Sequence, residues 1–259
     1  MIDNRPIGFF DSGVGGTSIW KEVHQLLPNE NTIYLADSFY APYGIRPKNE
    51  IIELSKKNTE LLLEKDCKLI VVACNTATTN AIDYLRANYT STPFIGIEPA
   101  IKPAAVSSKT NLIGVLATKG TISSDLFSKS VKLYKNTTII EQIGYGLVQL
   151  IEDNKINSPE MTALLQEYLE PMIDAGIDYL VLGCSHYPYL IPQMREILPS
   201  SIQIIDSGQA VARQTKKVIY KTSGFSDGVH PSHVFYTNAN TDVLSSLVGS
   251  QFVVEKLNF

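Results

Sequence analysis

Cysteine is scarce in this chain. Only three occur in 259 residues, Cys67, Cys74 and Cys184, and none forms a C-x-x-C pair. Three scattered thiols argue against a disulfide framework or a zinc ribbon and fit a reducing compartment. Charge of one sign is lacking too: 22 Lys and Arg against 26 Asp and Glu leave a net charge of -4. That balance offers no footprint for nucleic acid or an anionic membrane. No apolar run approaches the length of a membrane span. The N-terminal MIDNRPIGFFDSG lacks the charged-then-apolar layout of a signal peptide, so a cytoplasmic protein is expected. Nucleotide signatures are missing as well. In DSGVGGTS, Ser18 stands where a dinucleotide-binding loop needs its third glycine, and no P-loop lysine follows.

What is present is an ordinary globular composition, 44% hydrophobic and 19% charged, long enough for one large domain or two typical ones. Short apolar runs alternate with helical patterns. PIGFFDSG, NTIYLAD, LIVVAC and PFIGIE read as strands, and TSIWKEVHQLL, KNEIIELSKKNTELLLEKD and NAIDYLRANY as the helices among them. Continuous apolar strands separated by helices predict an α/β fold of mainly parallel sheets flanked by helices. In such sheets the carboxyl ends of the strands line the binding crevice.

The chain also repeats itself. IGFFDSGVGG at Ile7 answers IGVLATKGT at Ile113, TIYLAD at Thr32 answers TIIEQ at Thr138, KLIVVACNT answers DYLVLGCSH, and FIGIEPA answers IQIIDSG. Four pairs in one order at nearly constant offset predict two related halves, roughly 7–98 and 113–206, each with a Cys after its third strand. The tail beyond them holds a helical stretch, GQAVARQTKKVIY, and strand-like HVFYTN and QFVVEKL. We expect it to complete the first half, giving pseudo-symmetric domains 1–97 plus 207–259 and 98–206, with the site between them.

The repeat gives Cys74 and Cys184 a meaning neither has alone. A buried Cys is ordinarily a small hydrophobe, and Cys67 reads that way. Two thiols at equivalent strand ends, facing one crevice, instead suit racemisation by two bases, one removing an α-proton and the other returning one to the far face. Free Cys has a pKa of roughly 8.5, so each needs a helper. His186 can relay a proton for Cys184, while Asn75, Thr76 and Ser185 offer hydrogen bonds to a ligand. Asp11, before the glycine turn, carries a modest functional signal, and the turn's amides could hold a substrate carboxylate. Ala41-Pro42-Tyr43-Gly44 is a turn at the same crevice rim. His24, His230 and His233 read as surface or packing residues.

Other chemistries fit less well. Cys184 and His186 alone are a poor zinc signal, and a Cys–His hydrolase would leave one Cys idle. A single-Cys decarboxylase or isomerase would tolerate loss of the second Cys. A non-enzymatic binding module would explain the crevice but not two matched thiols.

Assembled, these motifs resemble the cofactor-independent aspartate/glutamate racemases, the glutamate racemases above all. The likeness runs through DSGVGG (11–16), APYG (41–44), ACNTA (73–77), PAIKPA (99–104), LATKGT (116–121), LIE (150–152), LGCSHYP (182–188) and DSG (206–208). It implies interconversion of L- and D-glutamate for peptidoglycan synthesis, without cofactor or metal, in a cytoplasmic homodimer. It implies that Cys74 deprotonates D-glutamate with help from Asp11. Cys184 would deprotonate L-glutamate with help from His186, itself supported by Glu152. It further implies a substrate-binding set of Ser12, Pro42, Tyr43, Gly44, Asn75, Thr76, Thr118, Thr121 and Ser185. One departure stands out: position 185 is Ser where the family usually has Thr, which keeps the hydroxyl and loosens the packing.

Overall fold

The computed structural model describes residues 2–259. Their ten strands are β1 (Ile7–Asp11), β2 (Thr32–Ala36), β3 (Leu69–Val72), β4 (Phe94–Gly96), β5 (Leu112–Ala117), β6 (Thr138–Ile143), β7 (Tyr179–Gly183), β8 (Gln203–Ile205), β9 (His233–Thr237) and β10 (Val253–Lys256). They form two sheets, ordered β10-β9-β2-β1-β3-β4 and β6-β5-β7-β8, and every strand pairing in both is parallel. β1 and β3 are buried along their whole length, as strands covered on both faces by helices must be.

The second sheet repeats the inner order of the first, with β6-β5-β7-β8 matching β2-β1-β3-β4. Leu69 lies beside Ile7, and Tyr179 beside Ile113, which sets the two cysteines at equivalent points. The outer strands slip. Thr32 pairs with Ile7, but Ile139 rather than Thr138 pairs with Ile113. Phe94 pairs with Ile70 and Ile204 with Leu180, so Phe94 answers Ile204 and not Ile202. The tail contributes β9 beside β2, with β10 beyond it, and its helix Gly208–Lys221 packs on the helix Thr17–Leu26.

One helix begins earlier than its sequence suggests. The apolar pattern starts at Asn80, yet the helix after β3 spans Asn75–Asn88 with Cys74 as its N-cap. Asn-Thr-Ala-Thr-Thr has weak helical propensity, but burial of Ala77, Thr78 and Ala81 carries the helix down to the cysteine. The second half differs here. Cys184 is followed by a short 3-10 turn, Tyr187–Leu190, before the α-helix Ile191–Ile197.

The backbone crosses between the sheets at two neighbouring places, near 97–100 and near 206–207, where the Ser207 hydroxyl donates to the Glu98 carbonyl. One buried apolar cluster takes Phe9 and Val71 from the first sheet and Leu116 and Leu182 from the second. Among the described residues, no helix is long and apolar enough to cross a membrane.

Candidate active site

The strand ends of both sheets meet at one cavity. Asp11 is the last residue of β1 and fully buried. Its Oδ2 accepts the Gly16 N–H at 2.7 Å, and the Ser185 hydroxyl donates across the cleft to either carboxylate oxygen at 3.3 Å. The Cys74 thiol donates to the Ser12 hydroxyl at 3.7 Å, and that hydroxyl in turn donates to Asp11 Oδ1 at 3.5 Å. Thiol, hydroxyl and carboxylate thus form one chain. The Ala77 N–H points at Cys74 Sγ from 3.4 Å, the donor expected at a helix N-terminus. Burial nevertheless pushes the Cys74 thiol well above its ordinary pKa, reinforced by the neighbouring Asp11, with the Ala77 and Ser12 donors opposing. Burial likewise raises Asp11, against the pull of His186.

Cys184 has a different neighbour. Its Sγ lies 3.8 Å from His186 Nδ1, and His186 Nε2 meets Glu152 Oε1 at 2.6 Å. Burial acts to lower the His186 pKa, but Cys184, Glu152 and Asp11 together hold it well above the usual imidazole value. His186 Nδ1 also faces Asp11 Oδ2 at 4.0 Å, so the groups beside the two cysteines meet at Asp11.

Two amides of the glycine turn are taken within the protein. The Val14 N–H donates to Glu152 Oε1 at 2.7 Å, and the Gly16 N–H is taken by Asp11. Both of these acceptors are the protein's own carboxylates, Glu152 from the second half and Asp11 from the first. A Cβ at Gly13 would lie 1.9 Å from Glu152 Oε1, and one at Gly15 would lie 2.2 Å from His186 Nδ1. The turn is bare because side chains of the second half press against it. The Ser38 hydroxyl completes the set, donating to Glu152 Oε2 at 2.8 Å.

Cys74 and Cys184 both line the cavity, with Ser12, Asn75, Ser185 and His186. Pro42, Tyr43, Gly44, Thr76 and Thr118 complete most of the remaining wall. Thr121 stands behind it, its hydroxyl 3.0 Å from that of Thr118, which is 2.8 Å from that of Thr76. Asp11 and Glu152 also lie behind the wall, in contact with Ser12 and His186. The Tyr43 hydroxyl points away, donating to buried Asp37 at 2.5 Å and accepting from Asn58 at 3.0 Å, so Tyr43 offers the cavity other parts of the residue. Asn75 is the opposite case: both its side-chain polar atoms are buried without a partner, an arrangement a polar ligand would relieve. Val148 lines the cavity and Ser38 supports Glu152, and neither was singled out by sequence. A lone Val on a helix and a Ser after a strand carry no signal until the halves are brought together.

The cavity measures about 10 Å³, room for roughly one water, so an amino acid fits only where it widens. Hydrogen bonds across the cleft hold it shut. Thr17 Oγ1 and Tyr189 OH are 2.6 Å apart, and Ser18 donates to the Ser185 carbonyl at 2.8 Å. Among the described residues no group of three His, Cys, Asp or Glu side chains converges as metal ligands would.

Comparison with known proteins places this geometry. A profile of the Asp/Glu/hydantoin racemase family matches residues 15–215. A glutamate racemase of Cupriavidus pinatubonensis is 39% identical over 256 residues, 98% of this chain and 94% of that protein. The structure of Escherichia coli glutamate racemase in complex with L-glutamate and the activator UDP-MurNAc-ala superimposes with a TM-score of 0.87 at 30% identity, covering 98% of both chains. That of Francisella tularensis glutamate racemase in complex with D-glutamate gives 0.85 at 27% identity, covering 99% of this chain and 98% of that one.

Proposed function

The chain belongs to the Asp/Glu/hydantoin racemase family, as one of its glutamate racemases, and from that premise we propose that it interconverts L- and D-glutamate with Cys74 and Cys184 as its two bases. The observation that carries this is the pair of thiols at equivalent ends of β3 and β7, lining one cavity. The complexes of two relatives with D- and L-glutamate support the substrate.

In the L to D direction the Cys184 thiolate takes the α-proton, and the C–H electron pair is left on a carbanion delocalised into the carboxylate. The Cys74 thiol then protonates the opposite face, leaving Cys74 as thiolate and Cys184 as thiol. The reverse reaction, or exchange with solvent, resets the pair. His186, held cationic by Glu152, stabilises the Cys184 thiolate, and Asp11 with Ser12 serves Cys74. Asn75, Thr76, Thr118 and Ser185 hold the substrate's charged groups, with Ser12, the Pro42-Tyr43-Gly44 turn and Thr121 completing the site. Thiols perform both transfers, so no cofactor enters. The two catalytic halves are the domains 1–97 plus 207–259 and 98–206.

Incubation with either enantiomer in D2O should give the other with deuterium at the α-carbon; absence of interconversion overturns the reading. Cys74→Ala and Cys184→Ala should each abolish racemisation, and full activity in either refutes the paired bases. Aspartate run in parallel tests the substrate. In this reading the product supplies peptidoglycan synthesis in the cytoplasm, checked by rescue of a D-glutamate auxotroph. The homodimer carried over from the resemblance is checked by sedimentation.

A further inference from the structure

Glu152 ends the helix Leu147–Glu152 of the second half, and its partner His186, which follows β7, lies in the same half. The other two donors to its carboxylate come from the first half. They are the Val14 N–H on Oε1 at 2.7 Å and the Ser38 hydroxyl on Oε2 at 2.8 Å. Gly13 leaves the carboxylate the space it occupies. We propose that Ser38 is a positioning residue for the Cys184 half-reaction, closing a cross-cleft clamp on Glu152 that assembles only when the two halves come together. The proposal rests on the two-base reading above.

A carboxylate held by His186 alone can rotate about its terminal bonds, and the imidazole rotates with it. With Oε1 pinned by Val14 and Oε2 by Ser38, both oxygens are fixed, and Nε2 of His186 has one direction in which to pair. Its other nitrogen is then fixed against Cys184 at 3.8 Å. When the halves part to admit substrate, Val14 and Ser38 leave with the first half, while His186 and Glu152 remain paired. Closure over the substrate restores the clamp, so Cys184 gains its oriented helper once the substrate is enclosed. Cys74 depends on closure less directly: its own contacts, Ser12 and Ala77, and Asp11 behind them belong to its half, and only the Ser185 hydroxyl reaches Asp11 from the other. The two half-reactions therefore differ in how they depend on closure.

The test compares Ser38→Thr with Ser38→Val, which match in shape and differ by the hydroxyl. We expect Ser38→Thr to keep near-normal rates and Ser38→Val to lose about tenfold in kcat, with KM within twofold. The decisive readout is the primary isotope effect on kcat/KM with α-deuterated substrates. In Ser38→Val it should grow with L-glutamate, where Cys184 removes the deuteron, and shrink with D-glutamate. Isotope effects unchanged from wild type, or changed equally for both enantiomers, overturn the clamp. Equal loss in Ser38→Thr and Ser38→Val also overturns it. Failure of the wild-type protein to racemise glutamate overturns instead the reading beneath it.

Discussion

Replacing Gly13 by Ala should disable catalysis while leaving the fold intact. Gly13 lies outside the positive-φ region, so Ala meets no backbone strain. The three atoms nearest the added Cβ all belong to the Glu152 carboxyl group, with Oε1 at 1.9 Å. Ordinary contact begins near 3.4 Å, so the carboxylate must retreat by roughly 1.5 Å, beyond hydrogen-bond reach of its present partners. Oε1 then loses both the Val14 N–H and His186 Nε2. Hydrogen bonds to a charged group contribute about 1.5–3 kcal/mol each. Water regains part of this, leaving a loss of about 3 kcal/mol, or roughly a hundredfold in kcat/KM. The same bonds help hold the folded state, so Tm should fall by roughly 6–12 °C while the chain still folds. Racemisation followed by polarimetry gives the rate, and a double-mutant cycle with Glu152→Ala locates the cause. In the Glu152→Ala background the further change at Gly13 should cost nothing. Wild-type rates in Gly13→Ala, or a full hundredfold loss persisting without Glu152, would refute the reasoning.

Two further outcomes follow from polar groups that point away from the cavity. Tyr43→Phe removes the hydroxyl from Asp37 and Asn58, and should cost about 1–2 kcal/mol of stability in thermal melts while KM for glutamate moves less than twofold. A large rise in KM at unchanged Tm would put that hydroxyl on the substrate. His233, packed edge-on to Trp20 and His24, is held down to about 4 by burial and by His24. The unfolded chain takes up this proton first, so stability should fall as pH drops from about 6.5 towards 4. His233 is only half-buried, and solvent screening leaves about 1 kcal/mol of that dependence. Melting at pH 7 and pH 5 should show a shallower acid loss in His233→Phe, and an unchanged slope would exclude His233 as the source.

The strands and the cysteine pair were legible because burial on both faces writes unbroken apolar runs, and duplication wrote them twice. The start of the helix at Asn75 was not, since its first turn holds residues chosen for the cavity rather than for propensity. Offsets drifted at β6 and β8 because the outer strands of the second sheet are paired by register, which apolar letters do not encode. The glycine turn reads as an anion site, but nothing in its own letters points to Glu152 as an anion it holds. Glu152 lies more than a hundred residues away, and no local pattern links the two. Ser38 and Val148 were invisible for the same reason. Asp37, which takes the Tyr43 hydroxyl, Lys57 at 2.9 Å and Asn238 at 2.5 Å, is likewise a meeting of distant segments.

The narrowness of the cavity sets a term in the affinity of this protein for its ligand. A closed form too small for an amino acid competes with binding, because only the fraction of molecules that has opened can accept one. If one molecule in a hundred is open, the apparent dissociation constant is about a hundredfold weaker than that of the open form. Each bond across the cleft, such as the one between Thr17 and Tyr189, then draws on substrate affinity while it steadies the catalytic geometry. KM in such a protein is partly a measure of how firmly it holds itself shut.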